Sequence, residues 1–238
     1  TFLRHFGFFL NDVALTGDGQ LQRGNEVIDN NLIDNIDNVA KHCMGQSLKN
    51  GILIHGGFFL GPNALYSQLR TMDEETLHAI NMTRISVVNQ LYGDEALKRA
   101  QRQKARFINT AFMVHALGAA TADGLEDGRV VSGVGGQYNF VAQAHELVGA
   151  RSILMFKSTR TKAGKTSSNM VWQYGHTTIP RHLRDIFVSE YGIADVRGKS
   201  DSEVVKALLN ITDSKFQNEL LAEAKKNGKV AQDYQVPG

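Results

Sequence analysis

Apolar side chains along this 238-residue chain change their spacing near residue 50. Before it, Val27, Ile28, Leu32, Ile33, Ile36 and Val39 recur every three to four positions, the period of an amphipathic helix. Gly17, Gly19 and Gly24 punctuate the approach, and Asp29–Asn38 is crowded with Asn and Asp. After residue 50 the apolar residues gather into short runs. Ile52–Phe59 reads as a buried strand ending in a glycine turn at Gly56–Gly57. Asp73, Glu74 and Glu75 place carboxylates in a first helical turn, where the helix dipole favours them. Ile85–Leu91 and Arg106–Val114 read as strands on either side of a charged helix around Asp94–Gln103. Arg129–Val134, Ser152–Phe156 and Ile186–Val188 are further strand candidates, rich in β-branched and bulky apolar residues.

The last forty residues carry the clearest helical signals. Ser200 with Glu203 forms a capping box before Val204, Val205, Leu208 and Leu209. Ser214 with Gln217 reads as a second one, ahead of Leu220, Leu221 and Ala224, with Lys225, Lys226 and Gly228 closing the helix. Strands alternating with helices predict an α/β fold whose sheet is covered on both faces. The organisation expected is an N-terminal helical or irregular segment over residues 1–50, an insertion or interdomain part, followed by one domain over 51–238.

Composition narrows the class. Hydrophobic residues make up 42% and charged residues 21%, the balance of a globular chain. Twenty-six Lys and Arg against 24 Asp and Glu give a formal charge of +2, too little for a nucleic-acid footprint. A single cysteine, Cys43, leaves no intramolecular disulfide and no cysteine cage for a metal. No apolar stretch approaches the roughly 18 residues of a membrane span, and Thr1–Leu10 is too short and interrupted for a signal peptide. A cytoplasmic protein with no membrane and no nucleic-acid partner is the expectation. The chain opens on Thr1 rather than Met, which suggests a fragment or a processed product. Twenty-three glycines stand against three prolines, and they sit inside apolar segments rather than in linkers. Backbone is therefore expected to approach something closely at several points.

Several familiar motifs fail on spacing. Gly164-Lys165-Thr166 follows a strand but lacks the earlier glycine of a phosphate-binding loop, since Thr159 stands there; a polar hairpin turn is expected instead. Gly133-Val134-Gly135 lacks the third glycine of a dinucleotide fingerprint, Tyr138 occupying its place. No pair of histidines is spaced i, i+4, and no serine sits in a GxSxG elbow, so neither a metal site nor a hydrolase triad is expected.

What survives is Ser132-Gly133-Val134-Gly135-Gly136-Gln137-Tyr138-Asn139-Phe140. Three glycines in four positions can turn backbone N–H groups outward, a nest suited to a phosphate or a developing oxyanion. A strand ending in a tight turn is the equally weighted bland reading. This segment resembles the SGVGGQxDF signature of the acetyl-CoA hydrolase/CoA-transferase family, with Asn139 where the family has Asp. Glu190-Tyr191-Gly192-Ile193-Ala194-Asp195-Val196-Arg197-Gly198-Lys199 resembles the family's EYGIADLRGK stretch. His55-Gly56-Gly57-Phe58-Phe59-Leu60-Gly61 resembles its glycine-rich strand-turn, and Phe107-Ile108-Asn109-Thr110-Ala111 its Asn-Ser-Ala segment. The likeness runs in order from about Ile52 to Ala224.

The resemblance implies the family's C-terminal CoA-transferase-like domain: a mixed, mostly parallel sheet covered by helices. It implies acyl-CoA:carboxylate CoA transfer or acyl-CoA hydrolysis through a glutamyl-CoA thioester. CoA and acyl-CoA would be substrates, with small carboxylates as partners, no permanently bound cofactor, no metal, and a homodimeric full-length enzyme. Gly136 or Gly135 would supply the oxyanion donor, and Asn109 a side-chain partner near the glutamate, unless it is a satisfied polar residue at a strand end. Gly56, Gly57, Gly133, Arg197 and Lys199 would meet CoA. Glu26 stands 29 residues before His55 and is the candidate nucleophile, although Leu21–Asn25 and Asn30-Asn31 depart from the family context. If the nucleophile instead precedes Thr1, the chain is a catalytically incomplete CoA-binding domain. Glu190 reads as a turn brace accepting backbone hydrogen bonds, and His176 as a structural histidine or a pocket residue. A sugar-phosphate isomerase-like domain is disfavoured by the 190–199 match.

Overall fold

The computed structural model describes residues 9–31, 33–45 and 51–237. They form two compact units, residues 1–84 and 85–238.

In the first unit, β1 (Val13–Leu15), β2 (Leu21–Arg23) and β3 (Glu26–Ile28) make an antiparallel meander in sequence order. Gly19 and Gly24 take positive φ, +85° and +59°, at its two turns. Helix α1 (Ile36–Cys43) lays Val39 and Cys43 on Val13, Leu21 and Ile28, closing a small core. The helical spacing expected from Val27 onward therefore holds only from Ile36. Val27 and Ile28 belong to β3, whose partner β2 satisfies their backbone, and Leu32 lies outside the described residues. Burial pushes the Cys43 thiol pKa up, which makes it inert. Beyond it, β4 (Ile54–Gly56) pairs in parallel with β5 (Ile80–Met82), connected through α2 (Asn63–Thr71) and α3 (Glu74–His78). The Asp73 carboxylate caps α3 by accepting from Thr76 N at 2.8 Å, as the acidic run predicts. The Ile52–Phe59 run is not buried: Leu53 and Phe58 are exposed, and only one neighbouring strand pairs with β4 among the described residues.

The second unit opens with α4 (Ile85–Asn89) and α5 (Glu95–Gln101). A strand was expected over Ile85–Leu91; its apolar run is instead a short helix. The expected strand Arg106–Val114 divides into β6 (Arg106–Thr110) and β7 (Met113–His115), which enter different sheets. Then come β8 (Ala120–Thr121), α6 (Gln137–Glu146), β9 (Arg151–Met155), β10 (Thr159–Lys162), β11 (Lys165–Ser168), β12 (Met170–Val171), β13 (Ile186–Ser189), β14 (Gly192–Asp195), α7 (Asp201–Leu209) and α8 (Ser214–Lys226). The central sheet has the order β14-β13-β9-β6. Its strands β6, β9 and β13 are parallel, and β14 is an antiparallel edge. A second sheet pairs β12 in parallel with β7 and β7 antiparallel with β8. This is an α/β fold.

Strand alternation decides which face is buried. Leu154, Phe187 and Ala194 point to one side, where they pack with Val141 of α6 and with Val204, Val205, Leu208 and Leu209 of α7. The opposite side carries Ile108 and Ile193, 57% and 72% exposed, so helices of this unit cover one face rather than the two expected. Hairpin β10–β11 turns at Ala163 and Gly164, both at positive φ, which confirms the polar turn and excludes a phosphate loop. The Ser200–Glu203 capping box is complete in both directions. The second box is not: Asp213 is the N-cap of α8, accepting from Lys215 N at 2.9 Å, and Gln217 donates to the carbonyls of Leu209 and Thr212. The expected strand Arg129–Val134 is loop, with a single bridge from Val130 to Gly124. No helix among the described residues is long and apolar enough to cross a membrane.

Candidate active site

Asn109 and Thr110 end β6 at the carboxyl edge of its parallel neighbours, the place where open α/β sheets bind ligands. The segment 131–136 arrives there as a loop and opens α6. Gly136 is the N-cap residue, and no side chain caps the helix. Of the first-turn N–H groups, which have no intrahelical partner, that of Gln137 donates to the Val134 carbonyl at 3.3 Å, and no side chain accepts from the others. The motif's glycines have separate reasons. Gly135 sits at φ +59° in open space, so the backbone conformation itself calls for glycine. Gly136 has ordinary φ, but a Cβ there would lie 2.9 Å from Phe140 Cε2 and 3.0 Å from Asn89 Nδ2. Gly133 is open on all sides.

The surroundings hold polar groups without partners. Gln137 donates from Nε2 to the Thr110 carbonyl at 3.0 Å, which ties α6 to β6, while its buried Oε1 accepts nothing. Asn89 is 5% exposed and its Oδ1 is also unmatched, as is the Asn109 Nδ2. Four buried side-chain N or O atoms lack a partner among the described residues, and three of them gather here. Native interiors leave few such atoms, so a cluster of three singles out this edge of the sheet. The position of Asn89 is enforced. Gln143 donates to its carbonyl, and Arg102 grips Gln143 Oε1 at 2.6 Å and Val87 O at 2.9 Å. Burial lowers the pKa of Arg102, which nonetheless remains charged. A donor amide, two acceptor amides and an uncapped helix start therefore share one edge of the sheet.

The other expected site residues fall elsewhere. Arg197 and Lys199 follow β14, on the side of the amino ends of β9 and β13. They line a pocket of about 510 Å³ with His145, Arg181, His182, Arg184, Gly198 and Asp201. Arg197 is already engaged, donating to the Asp185 carboxylate at 2.5 Å and to the carbonyls of Ala150 and Ala144. Glu190 accepts from Ser158 N at 2.8 Å, the bracing expected of it. Asn139 lies in the first turn of α6. In the first unit, Gly56 closes β4 and Gly57 follows it. Glu26 begins β3 with its side chain 72% exposed, 3.9 Å from His42 Nδ1. Asn109, Gly133, Gly135 and Gly136 are thus gathered in one unit, whereas Glu26, Gly56 and Gly57 belong to the other.

Asn89 escaped sequence reasoning because it lies in a run that reads as strand. Gln137 stood inside the quoted motif, but nothing in its spacing announced a buried carbonyl without a donor.

Comparison with known proteins fits this geometry. Residues 61–224 match the family described as "Acetyl-CoA hydrolase/transferase C-terminal domain". A stretch of 123 residues is 34% identical to the 4-hydroxybutyrate coenzyme A transferase of Clostridium kluyveri, covering 50% of this chain and 28% of that protein. A variant of RipA, a protein whose structure is known from Yersinia pestis, superposes with a TM-score of 0.61 at 26% identity, over 74% of this chain and 37% of RipA. The 4-hydroxybutyrate CoA-transferase of Porphyromonas gingivalis shares the fold, with a TM-score of 0.53 at 22% identity over 73% and 37%. The chain spans well under half the length of the relatives it matches.

Proposed function

Because the chain belongs to the acetyl-CoA hydrolase/transferase family through that C-terminal domain, we propose that it forms part of an enzyme acting on acyl-CoA thioesters. The reaction is transfer of CoA to a small carboxylate, or hydrolysis. The observation that carries this reading is the set of unpartnered amides around the Gly133–Gly136 loop at the carboxyl end of β6. Thioester chemistry needs such a place. A carboxylate attacks the acyl carbon, the carbonyl oxygen becomes an oxyanion, and CoA thiolate leaves. The thiolate then attacks the enzyme's carboxyl carbon in the resulting anhydride, releasing the first acid and leaving a glutamyl-CoA thioester. A second carboxylate attacks that thioester, regenerating an anhydride that returning CoA resolves. Each addition develops negative charge on oxygen, which preorganised N–H donors stabilise.

In this reading the Gly135 and Gly136 backbone and the Asn109 Nδ2 are the donors, and Asn89 and Gln137 offer carbonyls to N–H groups of the CoA arm. Gly133 lets the loop pass close to the thioester. Lys199 and Arg197 stand where phosphates of CoA could reach them only at the other edge of the sheet. No permanently bound cofactor is required. The full-length enzyme works in the cytoplasm as a homodimer. Glu26 is the nucleophile in one version of the reading. Its exposure on a hairpin favours a second, in which the attacking glutamate lies outside these 238 residues and this chain contributes the CoA-binding and oxyanion side only.

Trapping separates the versions. The full-length protein is incubated with acetyl-CoA, treated with hydroxylamine or borohydride, and mapped by mass spectrometry. Modification of Glu26 supports the first version, and modification of another glutamate supports the second. A chain that turns over acetyl-CoA with every carboxylate untouched overturns the covalent mechanism.

A further inference from the structure

We propose that Asp123 and His176 form a proton-handling dyad in the same loop cluster as the glycine segment, giving the protein a hydrolytic activity toward acyl-CoA thioesters. This inference rests on the acyl-CoA reading above and adds hydrolysis to the transfer reaction.

His176 Nε2 lies 2.9 Å from Asp123 Oδ1, with the two side chains 37% and 14% exposed. Further groups fix the pair. The Thr178 hydroxyl donates to the same carboxylate oxygen, and the Thr121 hydroxyl donates to the His176 carbonyl at 2.5 Å. The Thr178 hydroxyl, and after it the His176 ring, hold the Asp123 carboxyl below its ordinary range, so it is ionised at neutral pH. An ionised carboxylate takes the Nε2 proton as a hydrogen bond and leaves Nδ1 as the free acceptor, the arrangement of a base oriented by a third group. No partner of Nδ1 occurs among the described residues. Gly124 makes room for the ring, since a Cβ there would fall 2.7–2.9 Å from its atoms.

The dyad is tied to the glycine segment through backbone. The Asp123 carbonyl accepts from Val131 N at 2.8 Å and from Ser132 N at 3.2 Å, and Gly133 follows directly. The titratable neighbours are few. Glu126 packs on the backbone of Gly175, and His115 reaches Thr121 Oγ1 at 3.3 Å, with Tyr174 beside its ring. Burial lowers the pKa of His115 and keeps it neutral. Neither member of the dyad is paired with Lys or Arg among the described residues, so nothing there competes for the Asp123 carboxylate.

The chemistry balances with water as the second substrate. The water oxygen bonds to the acyl carbon as one of its protons passes to His176 Nδ1. The carbon–sulfur bond then breaks, and that proton goes to the departing sulfur. The products are a carboxylic acid, which ionises, and CoA thiol.

The test measures acetyl-CoA hydrolysis without an acceptor acid, by thiol release and by oxygen-18 from labelled water, beside CoA transfer to a carboxylate. For the full-length protein, His176→Gln should lower kcat for hydrolysis 10²–10⁴-fold, the usual range for a lost acid–base group. It should also remove the histidine limb of the kcat–pH profile and leave transfer within a few-fold. Added imidazole should restore hydrolysis in His176→Ala. Hydrolysis unchanged in His176→Gln, or hydrolysis and transfer falling together in a folded variant, overturns the dyad's role. If His176→Gln does not fold, Thr178→Val carries the test: removing a hydrogen bond that fixes the Asp123 carboxylate should lower hydrolysis several-fold and leave transfer within a few-fold, and unchanged hydrolysis overturns the proposal. Transfer without any hydrolysis by the unmodified protein also overturns it while leaving the acyl-CoA reading intact. Absence of both activities overturns that reading itself.

Discussion

The two ends of the central sheet are built on opposite principles. At the carboxyl end of β6, one buried amide atom each of Asn89, Asn109 and Gln137 lacks a partner, and a glycine loop opens a helix with no side-chain cap. At the amino ends of β9 and β13 the buried carboxylate is matched, although Arg197 Nε there is the fourth buried atom without a partner. Asp185, 2% exposed, takes Arg151 at 2.7 Å, Arg197 at 2.5 Å and the backbone N–H of Ser152 at 2.6 Å. Nearby, one carboxylate, Asp201, gathers Arg181, Arg184 and Lys229. An unmatched buried polar group costs stability, and a matched one does not. The two ends therefore differ in how their polar groups are satisfied: charges pair around the pocket at one end, and amide atoms lack partners at the other.

The most forceful way to break this contrast is to unseal the closed end. Asp185→Ala leaves two guanidinium groups facing a buried gap and strips the acceptor of Ser152 N. Removing one partner of a buried ion pair costs about 3–5 kcal/mol. The urea midpoint should fall accordingly, and a loss below 1 kcal/mol would show that Asp185 is not the keystone its contacts indicate.

The complementary change at the open end should behave in reverse. Asn109→Ala deletes a donor that holds no partner in the protein, so unfolding free energy should stay within about 1 kcal/mol of the parent. CoA transfer by the full-length enzyme should nevertheless drop about 10²–10³-fold, the usual effect of losing one oxyanion donor. A large loss of stability with intact activity would identify Asn109 as structural and dissolve the contrast.

Much of this contrast was hidden in the sequence, for identifiable reasons. The capped helix at Ser200, the acidic start at Asp73 and the hairpin at Gly164 were legible because each is set by residues within four positions of one another. The core strands β9 and β13 were legible because their runs are short, apolar and bounded by turns. Ile85–Asn89 misled because a five-residue apolar run has no period by which strand and helix can be told apart. Arg129–Val134 misled because its valines are exposed, and β-branched composition reports on burial as much as on backbone. At the site, the glycines and Asn109 were visible as a family likeness, whereas the Asp123–His176 contact joins residues 53 positions apart. No local pattern could supply it.

Acid probes the charge-paired end through Asp201. Lys229 first, with Arg184 and Arg181, holds the Asp201 pKa down to about 2 from an ordinary 3.8. A depressed carboxyl pKa contributes stability that is complete above the unfolded value near 4 and is lost as pH falls toward 2. For Asp201 that contribution is about 2 kcal/mol. Unfolding free energy should thus decline between pH 4.5 and 2, and Lys229→Ala should flatten part of the decline. A decline of equal size in Lys229→Ala would move its origin to other carboxyls.

The smallest change asks whether the two ends communicate. Ser200 caps α7 immediately before Asp201: its hydroxyl accepts from Glu203 N, and the Glu203 carboxylate returns to Ser200 N at 2.8 Å. Ser200→Ala removes half of that exchange, and such caps are worth typically about 1 kcal/mol. The loss should appear in the urea midpoint alone. Leu208 and Leu209 of α7 pack into the same core as Leu154 and Phe187, so a frayed first turn loosens the helix from its far end inward. Asn109 pairs in register with Leu154. If fraying reached that layer, the donor amide would shift and CoA transfer would fall along with stability. Unchanged transfer in Ser200→Ala shows that the sealed end carries stability alone; a parallel fall shows that the core transmits it to the site.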